Sequence, residues 1–259
     1  MFKSITLNSI ESVAVIKLNE EKTLNALSYN MLRELQTALD ALRDDAVIKV
    51  IILWGGESLF GAGANLKEVS KITNSYEAFE YSRNIQVIFN SFENFKKPVI
   101  AAIGGYALGG GLELALCCDI RVASEKAKLG LPEVKLGVLP AGGGTARLTR
   151  LIGTARAKEL IMLGDHITAD EAFRLGIVNR VVPDQHLIEE AMKLARTLAQ
   201  RAPVALTMIK NAISVGANLD LESAQENEAK CSGVLFDTED RIEGMNAFLE
   251  KRKAVFKGK

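Results

Sequence analysis

Two kinds of hydrophobic pattern alternate along the first half of the chain. Short runs of β-branched and other apolar residues, which are typical of buried strands, occupy residues 13–18, 50–54 and 99–103. Between these runs, apolar residues recur with helical spacing and predict helices over 29–44 and 76–95. Because strands and helices alternate, we expect parallel strands joined by right-handed helical crossovers.

The second half of the chain is mainly helical in its pattern. A helix over 110–118 and a short strand over 119–123 end the alternation, and only residues 177–182 look extended after that. Helices are predicted over the other periodic segments, namely 144–152, 154–163, 168–175, 184–201, 203–216, 220–235 and 238–252. The pattern therefore predicts an α/β core followed by a helical tail.

The composition is that of a globular protein, and its balanced charge argues against polyanionic partners. The chain has 259 residues, of which 48% are hydrophobic and 25% are charged, so we expect one large domain or two small ones. The 32 Lys and Arg residues balance 32 Asp and Glu residues. A formal net charge of zero gives no general attraction to nucleic acid or to an anionic membrane, and we expect neither as a partner.

Histidine and cysteine are too few and too scattered to form a zinc site. The two histidines are His166 and His186, and the three cysteines are Cys117, Cys118 and Cys231. They form none of the usual ligand spacings, so no metal is expected. Sparse cysteines suit a reducing compartment, and the first residues show neither an apolar signal core nor the arginine bias of a transit peptide. We therefore expect a cytoplasmic protein.

Residues 98–118 are long and apolar enough to suggest a membrane helix. They carry a single charge, Glu113, but they also contain five glycines and begin with a proline. A charge at the centre of a membrane helix costs roughly 2.5–3.5 kcal/mol on insertion scales. The sequence has no second segment of this kind, so we interpret the stretch as part of a folded core.

The glycines of this stretch, GGYALGGGLELALCC at 104–118, separate a strand from a helix. They form no phosphate-binding motif, since Gly110 stands where a Walker loop needs Lys and Leu114 stands where a dinucleotide fingerprint needs Gly. Amides at the start of a helix lack partners within the helix, and bare backbone lets a ligand approach them. The segment predicts either a site for a carbonyl oxygen that gains negative charge or tight packing of the helix on the strand.

A second loop, FGAGANLKE at 60–68, also leaves the backbone bare after a strand. Ligands of open parallel sheets bind beyond the carboxyl ends of the strands, and both loops are expected there, in positions from which they can converge. An ordinary surface turn is the alternative. A third glycine cluster, PAGGGT at 140–145, is interpreted as a tight turn that opens a helix.

Two carboxylates stand in apolar surroundings near these loops. Glu113 lies among leucines in the first turn of its predicted helix, and Glu133 follows Leu131 and Pro132. Burial raises the pKa of a carboxyl group, which suits general acid–base chemistry on a water molecule and a carbon acid. The alternatives are a partner for the helix dipole at Glu113 and a surface turn at Glu133.

Four segments carry a resemblance to a known family. They read LNAL at 24–27, FGAGANLKE at 60–68, GYALGGGLELALCCDI at 105–120 and GLPEVKLGVLPAGGGTARL at 130–148. In this order they resemble the crotonase superfamily, also called the enoyl-CoA hydratase/isomerase family, over nearly the whole chain. The resemblance implies a spiral of ββα units with a CoA-thioester site over residues 1–200, followed by a helical trimerisation region over residues 201–259.

The resemblance also implies a reaction. The amides of Ala64 and Gly110 would form an oxyanion hole for the thioester carbonyl. Glu113 would hold and activate water, and Glu133 would deliver a proton to the α-carbon. Water would then add across the double bond of a 2-trans-enoyl-CoA to give a 3-hydroxyacyl-CoA, as in the hydratases of fatty acid β-oxidation. No cofactor is implied, because coenzyme A is part of the substrate.

Contacts with the CoA and the substrate are implied for backbone groups near residues 24–27 and 62–66. The residues concerned are Asn25, Ala26, Leu27, Ala62, Gly63, Asn65 and Leu66, together with Gly109. The family's assembly, a homotrimer or a dimer of trimers, is implied as well, and Lys257 is implied as a contact with a phosphate of a neighbour's CoA.

Other interpretations stay open. An enoyl-CoA isomerase needs one base and leaves Glu113 without a role, whereas a hydratase for a branched or cyclic enoyl-CoA fits every motif. A CoA-thioester binding scaffold without turnover has no need to bury two carboxylates. Asn65 stands where the family often has Asp, and Leu131 stands where some hydratases have Gln. We expect the acyl pocket to have walls from Val69, Ile72 and Tyr76.

Overall fold

The computed structural model describes residues 2–259, which form two β-sheets and a set of surrounding helices. The strands are β1 (Ile5–Ile10), β2 (Val13–Leu18), β3 (Val50–Trp54), β4 (Leu59–Gly61), β5 (Val99–Ile103), β6 (Tyr106–Leu108), β7 (Ile120–Ser124), β8 (Lys128–Gly130), β9 (Ile167–Thr168) and β10 (Arg180–Val182). The α-helices are α1 (Tyr29–Arg43), α2 (Leu66–Val69), α3 (Ser75–Glu93), α4 (Gly110–Leu116), α5 (Gly144–Ile152), α6 (Thr154–Leu163), α7 (Ala169–Arg174), α8 (Leu187–Ala199), α9 (Pro203–Gly216), α10 (Leu221–Phe236) and α11 (Glu239–Leu249). Short 3-10 helices cover Glu21–Thr23, Pro132–Leu136 and Asp184–His186.

The larger sheet has six strands in the order β1-β2-β3-β5-β7-β10. β1 pairs with β2 in the antiparallel direction, and each later pair in this sheet is parallel. Helix α1 lies in the connection from β2 to β3, and α3 lies in the connection from β3 to β5. These pairings confirm the predicted α/β core with parallel strands and helical crossovers.

The smaller sheet is absent from the sequence-based prediction. It has the order β4-β6-β8-β9, and β4, β6 and β8 each follow a strand of the larger sheet, so that successive ββα units wind through both sheets. β4, β6 and β8 have three residues each, which is too short for a period of two to stand out. β1 also escapes prediction, because it is an edge strand whose outer half is exposed.

Alternate residues of the larger sheet pack against helices on its opposite faces. Ile51 and Ala101 belong to the main core, which also contains Leu35 of α1. Ile52 belongs to a second apolar cluster, with Ala191 of α8. Because side chains alternate along a strand and both faces are covered, these strands have continuous apolar sequences.

Most of residues 98–118 are buried in this core, and the stretch is divided among β5, β6 and α4. The cysteines at its end, Cys117 and Cys118, are buried and free. Within residues 2–259, the structure contains no helix that combines the length and the apolar character needed to cross a membrane. The interpretation of this stretch as core is therefore correct.

Helices α9, α10 and α11 carry large apolar side chains on their surfaces. Ile213, Leu221 and Phe248 are exposed over 67%, 74% and 83% of their surface. The predicted boundary between residues 200 and 201 falls in the connection between α8 and α9. The division into a catalytic core and an oligomerisation region stays a prediction.

One buried side chain holds the turn that precedes α1. Asn25 is completely buried and has a left-handed φ of 50°. Its Nδ2 donates hydrogen bonds to the main-chain oxygens of Gly55 (3.0 Å) and Phe60 (3.3 Å), and its Oδ1 accepts one from the amide of Glu20 (2.8 Å). Asn25 thus ties residues 24–27 to the connection between β3 and β4.

We expect Asn25→Ala to lower the free energy of unfolding by about 3 kcal/mol, because buried main-chain groups would lose their partners. Urea unfolding at a fixed protein concentration measures this change. Asn8→Ala, which alters an exposed asparagine of β1, is the control and is expected to leave stability unchanged. Equal unfolding midpoints for the two variants would contradict the role given to Asn25.

Candidate active site

The two glycine loops meet where the neighbouring strands β4 and β6 end. The loop after β4 contains Gly63, and α4 begins shortly after β6 with Gly110 and Gly111. A Cβ atom on Gly111 would overlap the main-chain oxygen of Gly61, and one on Gly63 would lie 3.4 Å from that of Leu108. The absence of a side chain at Gly111 allows this approach, and Gly63 supplies a φ of 113° that favours glycine. The structure thus contains the convergence that the sequence suggests.

Two main-chain amides come together at this contact. Gly110 is the first residue of α4, so its N–H has no partner within the helix. Ala64 forms a single parallel bridge with Leu27, and the bridge uses the N–H and C=O of Leu27 only. A Cβ on Gly110 would lie 3.6 Å from the Ala64 nitrogen. Across residues 2–259 no main-chain acceptor takes either amide, so neither N–H group is used by the main chain.

The glycines between 104 and 111 serve two purposes. A Cβ on Gly104 or Gly105 would overlap the main chain between β3 and β4, so these residues allow tight packing. Gly109 has a left-handed φ of 51° and turns the chain into α4. Tight packing, one of the two alternatives that the sequence left open, therefore applies to Gly104 and Gly105, and a site for a carbonyl oxygen at Gly110 stays a prediction.

Glu113 lies in the first turn of α4 with only 4% of its surface exposed. Its Oε1 accepts a hydrogen bond of 2.7 Å from the amide of Gly144. Burial raises the pKa of Glu113 to about 7; the hydrogen bond from Gly144 opposes this rise, and the nearby carboxylate of Glu133 adds to it. Near neutral pH this carboxyl group exchanges readily between its protonated and ionised forms.

The third glycine cluster surrounds the Glu113 carboxyl group. A Cβ on Gly142 would lie 2.8 Å from Oε2, and one on Gly144 would lie 2.9 Å from Oε1. The expected tight turn and helix start are present, since α5 begins at Gly144. The turn also forms a wall of the site, which the sequence-based interpretation missed because Glu113 lies far from it along the chain.

Arg147 of α5 holds this turn in place, although no pattern in the sequence singles it out. Its Nη1 donates a hydrogen bond to the main-chain oxygen of Gly142 (3.1 Å), and its Nη2 pairs with Glu93 of α3 (2.6 Å). The arginine side chain is only 13% exposed. Its one visible signal is its place in the segment 130–148, which carries part of the family resemblance.

Glu133 borders the same loops from the 3-10 helix Pro132–Leu136. Its Oε1 would lie 3.0 Å from a Cβ on Gly109, which places the carboxyl group beside the start of α4. Its Oε2 is buried and has no hydrogen-bond partner among the described residues. Burial raises the pKa of Glu133. A buried oxygen without a partner is uncommon and indicates a place for a small polar ligand or water.

Most of the residues expected to contact CoA lie in two segments, 24–27 and 62–66, that hydrogen-bond to each other. The main-chain groups of Leu27 bond to Gly63 and Asn65, and the amide of Ala62 donates to Leu24 (3.0 Å). Asn65 caps α2 by accepting a hydrogen bond from the amide of Lys67 (3.1 Å), which Asp at this position would also do.

The other expected contacts differ in exposure. Ala26 is partly buried and Leu66 is 55% exposed. The side chain of Asn25 forms its hydrogen bonds within the protein. Lys257 donates its amide to Asp240 (2.6 Å), and its Nζ lies 4.0 Å from Glu239. The roles of all these residues in binding CoA stay predictions.

A cavity of about 640 Å³ lies beside α3. Two of the three expected acyl-pocket residues, Ile72 and Tyr76, line it; Val69 does not. The other lining residues are Tyr29, Glu68, Lys71, Glu77, Glu80, Tyr81 and Asn84. The sequence-based interpretation missed Tyr81, whose ring packs edge to face on Tyr29 at a centroid distance of 5.6 Å.

The described residues contain no group of three or more His, Cys, Asp or Glu side chains that could hold a metal ion. The expectation that the protein uses neither a metal nor a cofactor stays a prediction.

Comparison with known proteins decides the family. The sequence model of the enoyl-CoA hydratase/isomerase family matches residues 8–259. The chain belongs to this family. A crotonyl-CoA hydratase of Syntrophomonas wolfei is 43% identical, over 98% of each chain, and a short-chain-enoyl-CoA hydratase of Clostridium acetobutylicum is 41% identical, over 96% of each. The crystal structure of an enoyl-CoA hydratase from Bacillus anthracis superposes with a TM-score of 0.95 at 42% identity, covering 99% of this chain and 100% of that one.

Membership of the enoyl-CoA hydratase/isomerase family confirms the resemblance that the four motifs carry. The structural match also confirms the expected fold, a crotonase-like spiral of ββα units followed by C-terminal helices. The free amides and the two glutamates described above lie within the segments that carry the resemblance.

We expect the wild-type protein to lose stability relative to Glu113→Gln as the pH rises from about 4.5 to 7. The folded state holds the Glu113 proton up to a pKa of about 7, whereas the unfolded chain releases it near 4.5. Between these pH values unfolding releases a proton, so the contribution of Glu113 to the free energy of unfolding falls with rising pH, by about 3 kcal/mol in total. Above pH 7 this contribution no longer changes with pH. Urea unfolding of both proteins from pH 5 to pH 8 measures the effect. A stability difference independent of pH would contradict the raised pKa.

Proposed function

We propose that this protein is an enoyl-CoA hydratase that adds water to a 2-trans-enoyl-CoA to give a 3-hydroxyacyl-CoA. The observation that carries the proposal is the pair of carboxyl groups, both with raised pKa, beside two free main-chain amides. The names of the relatives at 43% and 41% identity, a crotonyl-CoA hydratase and a short-chain-enoyl-CoA hydratase, support this enzyme class.

The two amides supply the electrostatic part of the mechanism. The thioester carbonyl oxygen accepts hydrogen bonds from the N–H groups of Ala64 and Gly110. These bonds strengthen as the oxygen gains charge in the enolate, and removal of one such donor typically raises the barrier by about 3–4 kcal/mol. Polarisation of the carbonyl also draws electron density from C3 and prepares that carbon for attack by water.

The two glutamates supply the acid–base part. Glu113 holds the water, and the water oxygen forms a bond to C3 while the π electrons move into the enolate. Glu133, whose raised pKa favours its neutral form, gives its proton to C2, and the Glu133 carboxylate that this leaves takes up the proton that the water loses. The product gains one hydroxyl at C3 and one hydrogen at C2, and both carboxyl groups return to their starting state.

Burial of Glu113 is the observation that favours hydration over the alternatives. An isomerase moves one proton between two carbons and needs one base, whereas here a second carboxyl group lies next to the first. A scaffold that only binds CoA thioesters would lose stability by burying two carboxyl groups and would gain no function from it. A hydratase for a branched or cyclic enoyl-CoA would use the same groups.

The binding partners form part of the proposal. The backbone of residues 24–27 and 62–66 cradles the adenine and pantetheine of CoA, which is part of the substrate, and no further cofactor takes part. The protein is cytoplasmic. It binds neither nucleic acid nor a membrane, and its formal net charge of zero supports the absence of these two partners.

The proposed assembly is a homotrimer or a dimer of trimers. The apolar surfaces of α9–α11 support it, together with a groove between α9 and α10 that Ile209, Ile213 and Leu235 line. In this assembly Lys257 contacts a phosphate of the CoA held by a neighbour. Sedimentation velocity separates a trimer or a hexamer from a monomer, which would contradict this part of the proposal.

We expect Glu113→Gln and Glu133→Gln each to lower kcat on crotonyl-CoA by about 100-fold or more, because each removes one proton-transfer group. Loss of the ultraviolet absorbance of the conjugated thioester measures hydration. Glu125→Gln, which alters an exposed glutamate after β7, is the matched control and is expected to keep the wild-type rate. A folded wild-type protein that binds CoA but leaves crotonyl-CoA unchanged would contradict short-chain hydration.

A further inference from the structure

Tyr81 lies on the face of α3 that is directed towards α4 and Glu113. Ile85 and Phe89 follow it at intervals of four residues, so the three side chains share one face of the helix. A Cβ on Gly142 would lie 2.8 Å from both Glu113 Oε2 and Phe89 Cε2. It would also lie 3.1 Å from Ile85 Cγ2. This face of α3 therefore packs against the Glu113 carboxyl group, and Tyr81 stands one turn further along it.

The hydroxyl group of Tyr81 is buried and has no hydrogen-bond partner among residues 2–259. The ring lines the cavity beside α3 and packs edge to face on Tyr29. Burial raises the pKa of Tyr81, and the negative charges of Glu68 and Glu113 add to the rise, so the hydroxyl stays protonated and acts as a donor. A phenylalanine would make the same ring contacts without burying a polar atom.

Glu133 Oε2 is a second buried atom without a partner, and it is an acceptor. Both atoms flank the Glu113 carboxyl group: Tyr81 stands one turn from Ile85 on the face of α3 that packs on the turn around Glu113, and Glu133 lies beside Gly109 at the start of α4. The charge of Glu133 adds to the raised pKa of Glu113, in agreement with this placement. A donor and an acceptor without partners around one carboxyl group fit a molecule that both donates and accepts. An enclosed water needs two to four polar partners, and these three groups meet that need.

We propose that the Tyr81 hydroxyl donates a hydrogen bond to the oxygen atom added at C3 of the substrate, and so orients the reacting water together with Glu113 and Glu133. The inference rests on the proposed hydratase function and adds a third side chain to it. A water that accepts one hydrogen bond from Tyr81 and donates to the two carboxyl groups keeps one lone pair free. That lone pair is the one that attacks C3.

The first test compares Tyr81→Phe with Tyr106→Phe, a control that removes the hydroxyl of a half-exposed tyrosine in β6. We expect Tyr81→Phe to lower kcat for crotonyl-CoA hydration by about tenfold and to leave KM within about twofold, because one hydrogen bond to the water is lost and the thioester contacts remain. Its melting temperature should stay close to that of the wild type, since the hydroxyl has no hydrogen-bond partner among residues 2–259. A wild-type kcat would overturn the proposal.

The second test uses binding and does not depend on turnover. Acetoacetyl-CoA carries an oxygen at C3 and butyryl-CoA does not, and neither has the C2–C3 double bond that is hydrated. Isothermal titration calorimetry should show that Tyr81→Phe lowers the preference for acetoacetyl-CoA over butyryl-CoA by about tenfold, whereas Tyr106→Phe keeps it. An unchanged preference in Tyr81→Phe would overturn the proposal. The two proposals can also fail separately. If the wild-type protein hydrates none of the enoyl-CoAs but still shows a preference that depends on Tyr81, the hydratase function is contradicted, whereas binding of the C3 oxygen by Tyr81 is supported.

Discussion

Contact between two bare stretches of main chain, after β4 and after β6, is the constraint on which the site depends. A side chain at Gly111 would overlap the main chain of Gly61, so the two loops reach this distance only with glycine at position 111. The contact sets the amide of Ala64 beside that of Gly110, at the ends of adjacent parallel strands. Phe60 of β4 and Ala107 of β6 are buried in the main core, so we expect the two donors to be held in place before any ligand arrives, as electrostatic stabilisation of an enolate requires.

The same contact orders the carboxyl groups. Glu113 follows Gly110 by less than one helical turn, and the glycine turn at 142–144 encloses its carboxyl group because Arg147 holds that turn against α3. Glu133 reaches the start of α4 from the next segment of the spiral. Burial is the dominant cause of both raised pKa values, so the exclusion of solvent costs stability but also brings the pKa of Glu113 to about 7, where a carboxylic acid exchanges its proton readily at neutral pH. It raises the pKa of Glu133 in the same direction.

The sequence predicts those parts of the molecule that local patterns determine. The long apolar strands and the helices have clear periods, and the parallel order follows from their alternation. The smaller sheet is not predictable in this way, because β4, β6 and β8 have three residues each and depend on pairing with one another. For the site, an isolated charge in an apolar run identified Glu113, but the wall at Gly142 and Gly144 and the support from Arg147 come from contacts that are distant in sequence. The sequence did not indicate a role for Tyr81, because aromatic residues on a helix face usually belong to the core.

Isotope-edited infrared spectroscopy of bound butyryl-CoA tests the central claim most directly, which is that the Ala64 and Gly110 amides polarise a thioester carbonyl. The ligand carries ¹³C at the carbonyl carbon and cannot be hydrated, so its C=O stretching band reports hydrogen bonding alone. The account predicts a band at lower wavenumber in the complex than in water, because two fixed donors in a site shielded from solvent replace mobile water molecules. A band at the position found in water, or at higher wavenumber, would contradict it.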